Sequence, residues 1–153
     1  MGARRLRLLA SVALSTSFVL GLLSGTAHAG GAFSSYGYYT VAGIQYQNQA
    51  FIWTDPSTSH EVEAATTVGP YSGGTAQNGW VGAVPRTFRN GVLWCTGTWT
   101  YNSSPMPVGS RINATGCLQF LIVDVWSSEG ITKAWNGYSY NSYYTFMTPN
   151  QNS

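Results

Sequence analysis

Polar and apolar residues alternate with a period of two along most of the chain after Gly30, the signature of strands with one face buried. In VAGIQYQNQAFIW, Gln45, Gln47 and Gln49 share one face while Ile44, Tyr46, Ala50 and Ile52 share the other. In GVLWCTGTWTYN, Leu93, Cys95, Trp99 and Tyr101 alternate with smaller polar residues, and Trp94 stands out on the wetter face. In YSYNSYYTF, Tyr138, Tyr140, Ser142, Tyr144 and Phe146 fall on one face and Ser139, Asn141, Tyr143 and Thr145 on the other, which predicts a core face at the even positions. The run Leu118 to Val123 is continuously apolar and predicts a strand covered on both sides. Trp80, Trp99, Tyr101, Phe120, Trp126 and Phe146 are expected to fill the core.

Turn chemistry punctuates these segments. Asn78-Gly79, Asn90-Gly91 and Asn136-Gly137 tolerate the positive φ angles of a type I′ turn, so each is a hairpin candidate. Pro85 cannot donate to a ladder and argues for an edge or a bulge. No stretch after residue 30 combines helical periodicity with caps. The pattern predicts an all-β fold, a small antiparallel β-sandwich or barrel.

Two segments depart from the pattern. Residues 30–40, GGAFSSYGYYT, carry Gly, Ser and Tyr without alternation and read as a flexible N-terminal extension. Residues 41–153 then form a single β domain, within which 41–53 can close its own sheet or add to the edge of a partner's.

The first residues change the compartment. Arg4, Arg5 and Arg7 precede an apolar run from Leu8 to Leu23, and Thr26-Ala27-His28-Ala29 offers small residues for cleavage, so residues 1–29 read as a Sec signal peptide. The expected product is secreted and extracellular, with no membrane insertion, because nothing later is apolar for the roughly 18 residues a spanning helix needs. In that setting Cys95 and Cys117 predict one disulfide, contributing about 3 kcal/mol if unstrained.

Beyond residue 29 the charge is near neutral: Arg86, Arg89, Arg111 and Lys133 against Asp55, Glu61, Glu63, Asp124 and Glu129, a net of −1. No basic stripe is present for nucleic acid.

Candidate chemistry is sparse. His60 in PSTSHEVE is the one histidine after the signal and reads as a turn residue, since triads are recognised by geometry and not by adjacency. Glu61 and Glu63 on one strand face would lie roughly 7 Å apart, between the retaining and inverting glycosidase spacings, but a carboxylate pair also needs a cleft. Asp124 in LIVDVW calls for a partner such as Arg86, Arg89 or Arg111. One histidine and a paired cysteine set cannot make a tetrahedral zinc site, and no acidic loop has calcium-ligand spacing. The chain is expected to be no enzyme, with no metal and no cofactor. Asn102-Ser-Ser and Asn113-Ala-Thr fit the glycosylation sequon, a motif frequent by chance.

Aromatics are the abundant feature: six Trp, ten Tyr and, after Phe18 of the signal is set aside, five Phe. Those not needed for a core become candidates for partner binding, because exposed Tyr and Trp are enriched at interfaces. They are Tyr36, Tyr38, Tyr39, Trp53, Trp94 and Tyr143, joined by Gln45, Tyr46 and Gln47 of the amide-bearing strand.

At AQNGWVGAVPRTFRNGVLWC, TYNSS, GITKAWNG and YYTFMTPNQN the chain resembles a group of small secreted actinobacterial β proteins, over roughly residues 70–153. Within that group it looks like the small adaptor subunit of antibacterial umbrella toxin particles. That resemblance implies a module joining larger toxin and lectin-type subunits, and it carries no functional residue across. The expected function is thus a secreted, noncatalytic protein–protein interaction module. The alternative is a free-standing carbohydrate-binding module, meeting a cell-surface glycan, or an inhibitor of an extracellular enzyme.

Overall fold

The computed structural model describes residues 30–57 and 59–153, and the predicted signal segment 1–29 lies outside them. In chain order the strands are β1 (Gly30–Phe33), β2 (Gly37–Val41), β3 (Ile44–Asp55), β4 (Glu61–Ser72), β5 (Val81–Val84), β6 (Arg86–Arg89) and β7 (Val92–Thr96). There follow β8 (Thr100–Tyr101), β9 (Ile112–Gln119), β10 (Val125–Ser128), β11 (Ile131–Trp135), β12 (Tyr140–Tyr144) and β13 (Gln151–Asn152). All pairings are antiparallel, and no helix occurs among the described residues.

The long alternating segments β3 and β4 form the centre of the first sheet, whose order is β1-β3-β4-β9. β1 and β2 lie end to end along β3, β1 on its second half and β2 on its first. The second layer is two four-stranded sheets, β13-β10-β6-β7 and β12-β11-β5-β8. Chain segments pass from one of these sheets to the other at Pro85, between β5 and β6, and at Glu129-Gly130, between β10 and β11. The layers face each other across Val41, Ile44, Tyr46, Val68 and Ala114 on one side and Val81, Ala83 and Ala134 on the other. A second cluster joins Ile52 and Val62 to the fully buried Trp126. No sheet closes on itself, so the architecture is a sandwich with open edges and not a barrel. The disulfide Cys95–Cys117 ties β7 of one layer to β9 of the other.

Two hairpins have both turn residues at positive φ: Asn90-Gly91 (50° and 78°), read from the sequence, and Ala42-Gly43 (49° and 79°), whose alanine gave no such signal. Asn78-Gly79 does not make a hairpin. It leads the chain from β4 across to β5, with the Gly79 amide donating to the Asn102 carbonyl.

The flexible reading of residues 30–40 is corrected here. They form β1 and β2, held by registers such as Gly31↔Trp53 and Tyr39↔Tyr46. Gly31 could not be another residue without displacing the Phe51 ring, which a Cβ would meet at 2.3 Å. The run Leu118 to Val123 is also corrected: β9 stops at Gln119, beyond which Leu121 takes a positive φ (61°) that breaks the extended path, while the positive φ of Cys117 (59°) falls inside β9 where its register on β4 shifts. Phe120, Leu121 and Val123 are left exposed.

Candidate interaction surfaces

The residues singled out by sequence separate into an inner and an outer set. Tyr39, Tyr46 and Tyr143 are inner. Tyr39 stacks on Tyr143 at 3.8 Å between ring centroids and on Tyr46 at 5.5 Å. Its hydroxyl donates to Thr132 Oγ1 at 3.1 Å, and Asn48 Nδ2 donates to the same oxygen at 3.0 Å. The Thr132 hydroxyl in turn donates to the Tyr143 carbonyl. Burial pushes the Tyr39 phenol well above the ordinary phenol range, opposed only in part by the Thr132 hydrogen bond, and burial also raises that of Tyr46. These three tyrosines therefore join the N-terminal strands to the second layer.

Tyr36, Tyr38, Gln45, Gln47 and Trp53 lie on the outward face of the first sheet or beside it. Its amides are already engaged within the chain. Gln47 Nε2 donates to the Tyr38 hydroxyl at 2.8 Å, Gln47 Oε1 accepts from Arg111, and Ser72 donates to Gln45 Oε1 at 3.0 Å. The Arg111 guanidinium also lies over the Tyr36 ring at 5.2 Å, and Tyr38 meets Tyr71 edge-on. β3 itself has hydrogen-bonded neighbours on both sides, so residues 44–53 lie in an interior strand of this sheet, with Val41 ending β2 and Ala42-Gly43 forming the turn between them.

The outward face of the second layer is where sequence reasoning inverted the outcome. Alternation in β12 is as expected, but the even positions point to solvent: Tyr138 is 93 % exposed, Tyr144 61 % and Phe146 58 %. Tyr143, at an odd position, packs against the core. The reason is the interlayer space, which is lined on this side by Ala83, Thr132 and Ala134 and accommodates one ring stacked on Tyr39 rather than a row of them. Outside, the rings run in a chain: Trp99 to Tyr101 at 6.0 Å, Tyr101 to Tyr140 at 5.6 Å and Tyr140 to Trp135 at 5.1 Å. Gly82 makes room for this chain, since a Cβ there would meet the Tyr101 ring at 2.6 Å. Lys133 Nζ lies 4.0 Å from the Trp99 ring centre, and Arg86 lies over both Phe88 and Tyr144. Arg86 is fixed by its ion pair to Glu129 at 2.5 Å. Of the rings expected in the core, Trp126 is fully buried and Trp80 packs on the core edge, while Tyr101, Phe120 and Phe146 are exposed.

Trp94 occupies a third place, at the end of the sandwich beside the disulfide. It is the extra residue where the β6–β7 register shifts, half-exposed, edge-on to Trp126 at 6.2 Å and beneath the Arg89 guanidinium. Asp124 pairs with Arg89 and accepts from Asn90 Nδ2 at 2.7 Å, and the Asn90 hydrogen bond followed by Arg89 holds its carboxyl below the usual range.

Asp55 accepts from the Ser57 amide and hydroxyl, which lower its pKa. Glu61 and Glu63 lie along β4 with a partly exposed outward face. Among the described residues no three His, Cys, Asp or Glu side chains come together as a metal site, and no helix is long and apolar enough to cross a membrane. Asn102, the first sequon asparagine, is buried and structural: its amide donates to the Gln77 and Ser104 carbonyls and its Oδ1 accepts from the Val81 amide.

No protein-family model, curated protein or solved structure matches the chain.

Proposed function

We propose that this chain is a secreted, noncatalytic interaction module that docks a larger exported protein against the outward aromatic face of its second layer. The carrying observation is that Tyr138, Tyr144 and Phe146 stand exposed on this layer beside the ring chain Trp99, Tyr101, Tyr140 and Trp135. Rings left in water rather than in the core are hydrophobic area whose burial awaits a partner, and their low side-chain entropy suits them to anchor an interface. Arg86 and Lys133 set among the rings supply the cation–π and hydrogen-bonding groups typical of such anchors.

The likeness to the small adaptor subunit of umbrella toxin particles, an N-terminal segment on a small β domain, supports a toxin or lectin-type subunit as the partner and an adaptor role in an antibacterial assembly. Strand addition, the mechanism suggested by residues 31–53, is confined to the outer edge of β1 and β2, because β3 is flanked on both sides.

The test replaces Tyr138, Tyr144 and Phe146 by Ser together. These rings are exposed enough that folding should survive, and loss of the complex with an unchanged melting curve is the expected result. Retention of the complex by this variant sinks the proposal.

A further inference from the structure

The outward face of the first sheet carries its own exposed rings, on the opposite side of the sandwich from the docking face. Tyr36, Tyr38 and Tyr71 are 42 %, 50 % and 52 % exposed. They are joined side chain to side chain. Tyr71 meets the Tyr38 ring edge-on at 5.2 Å, Gln47 Nε2 donates to the Tyr38 hydroxyl, Gln47 Oε1 accepts from Arg111, and the Arg111 guanidinium lies over the Tyr36 ring. These contacts make one connected strip over β2, β3 and β4.

The register explains how the strip is built. Tyr38 and Gly69 both lie directly across from Gln47, on the two strands that flank it. A Cβ at Gly69 would meet the Ser110 carbonyl oxygen at 1.9 Å and the Arg111 Cα at 3.0 Å. The missing side chain therefore lets the segment ahead of β9 cross the sheet and bring Arg111 to this face. Gln47 is only 6 % exposed, with both ends of its amide committed, so it fixes the Tyr38 phenol and the Arg111 guanidinium together.

Arg111 has no anion of its own. Among the described residues Arg86 and Arg89 each have a carboxylate partner, whereas Arg111 has none. Glu63 shares the outward face of β4 but stands six residues from Gly69, about 20 Å along the strand. Gln47 Oε1 and the Tyr36 hydroxyl, at 3.5 Å, take two of the five N–H groups of the guanidinium, leaving three. A fixed cation with an open fork suits a carboxylate or phosphate brought by a ligand. The Tyr38 hydroxyl, which accepts from Gln47, keeps its proton to donate. Gln45 accepts from Ser72 at its oxygen and keeps its amide hydrogens. Phenols, amides and a guanidinium make up the strip, the groups that meet sugar rings and their hydroxyls, whereas a protein anchor calls for an apolar pocket.

We propose that this strip binds an acidic saccharide, with the Tyr38 and Tyr71 rings bordering the sugars, Gln45 and the Tyr38 hydroxyl bonding their hydroxyls, and Arg111 taking a carboxylate or phosphate. The docking face lies on the other layer, so one chain can hold a larger protein and an anionic glycan at once.

The experiment is an amide-resolved NMR titration of the chain from Gly30 to Ser153, which holds all the strands described, with cellobiuronic acid, its methyl ester and cellobiose 6-phosphate. Expected are shifts at Tyr38, Gln45, Gln47, Tyr71 and Arg111 with at least one of the two acidic probes, and binding of the neutral ester weaker by about tenfold or more. Whichever acidic probe binds more tightly tells a carboxylate from a phosphate source. Arg111→Gln should lose about tenfold, and Arg111→Lys should recover part of it because the charge persists without the fork. Tyr71→Ala should weaken acid and ester alike, because it removes a ring and leaves the charge in place. Capture of the larger partner should be unaffected in all three, which separates failure here from failure of the docking proposal. Equal binding of ester and acid, shifts mapping to another surface, no shifts with any probe, hexaglutamate binding as tightly as the acidic sugars, or an Arg111→Gln chain that binds as before would each overturn the assignment.

Discussion

Replacing Thr132 by Val tests how the N-terminal strands are held. The side chains are nearly isosteric, but the hydroxyl removed is the one on which Tyr39 and Asn48 both converge, at 3.1 and 3.0 Å. Tyr39 has no second hydrogen-bond partner, so its buried hydroxyl is orphaned at a cost of about 1–3 kcal/mol. Asn48 retains the Tyr144 carbonyl at 3.4 Å and loses less. The added methyl returns up to about 0.8 kcal/mol of burial, which leaves a net destabilisation of about 2 kcal/mol. Urea unfolding should show the midpoint falling with m unchanged. The sharper readout is a double-mutant cycle. Tyr39→Phe should cost about 1 kcal/mol in the parent chain and close to nothing in Thr132→Val, because there the hydroxyl has no partner left to lose. Strictly additive effects would refute the contact, and with it the packing of β2 onto the second layer.

Three further outcomes follow from the same geometry. Replacing Cys95 and Cys117 by Ala together should lower stability by about 3 kcal/mol, the loop entropy for a separation of 22 residues, and an unchanged melting curve would contradict a bracing role. Tyr39 and Tyr46 keep their protons in the folded state when the unfolded chain begins to release its own near pH 10. Stability should therefore be full below about pH 10 and fall as pH rises through the higher folded-state values, less steeply for Tyr39→Phe, and a flat profile to pH 11 would count against their burial. Gly130→Ala places a Cβ 2.0 Å from Thr66 Oγ1 and should destabilise by about 1–3 kcal/mol, partly relieved by adding Thr66→Ala; equal stability of Gly130→Ala and the parent would show that the layers are not this close.

What could be read from sequence was the period, the turns and the disulfide. Alternation placed β3, β7 and β12 as strands, and Asn90-Gly91 gave a hairpin, since both signals are local and need no knowledge of neighbours. Which face of β12 is inward was not legible, because alternation has no sign: the choice was made by Ala83, Thr132 and Ala134 from other strands, which narrow the interior until Tyr143 alone fits beside Tyr39. Residues 30–40 misled for a related reason. Their glycines and serines look unstructured, yet Gly31 is required by Phe51 and the Ser34 hydroxyl is accepted by no strand pattern, receiving the Ala50 amide instead. The contacts of Arg111 with Tyr36 and Gln47 were not legible because these residues are up to 75 positions apart in the chain.

The measurement that bears most directly on the account is sizing with light scattering of the exported chain, tagged ahead of Gly30 because Ser153 is buried against Trp126, with and without the Tyr138→Ser, Tyr144→Ser, Phe146→Ser substitutions. The account predicts a stoichiometric complex with a larger exported protein for the parent and a folded, lone chain for the variant. A parent chain that travels alone, or a variant that keeps its partner, would contradict it.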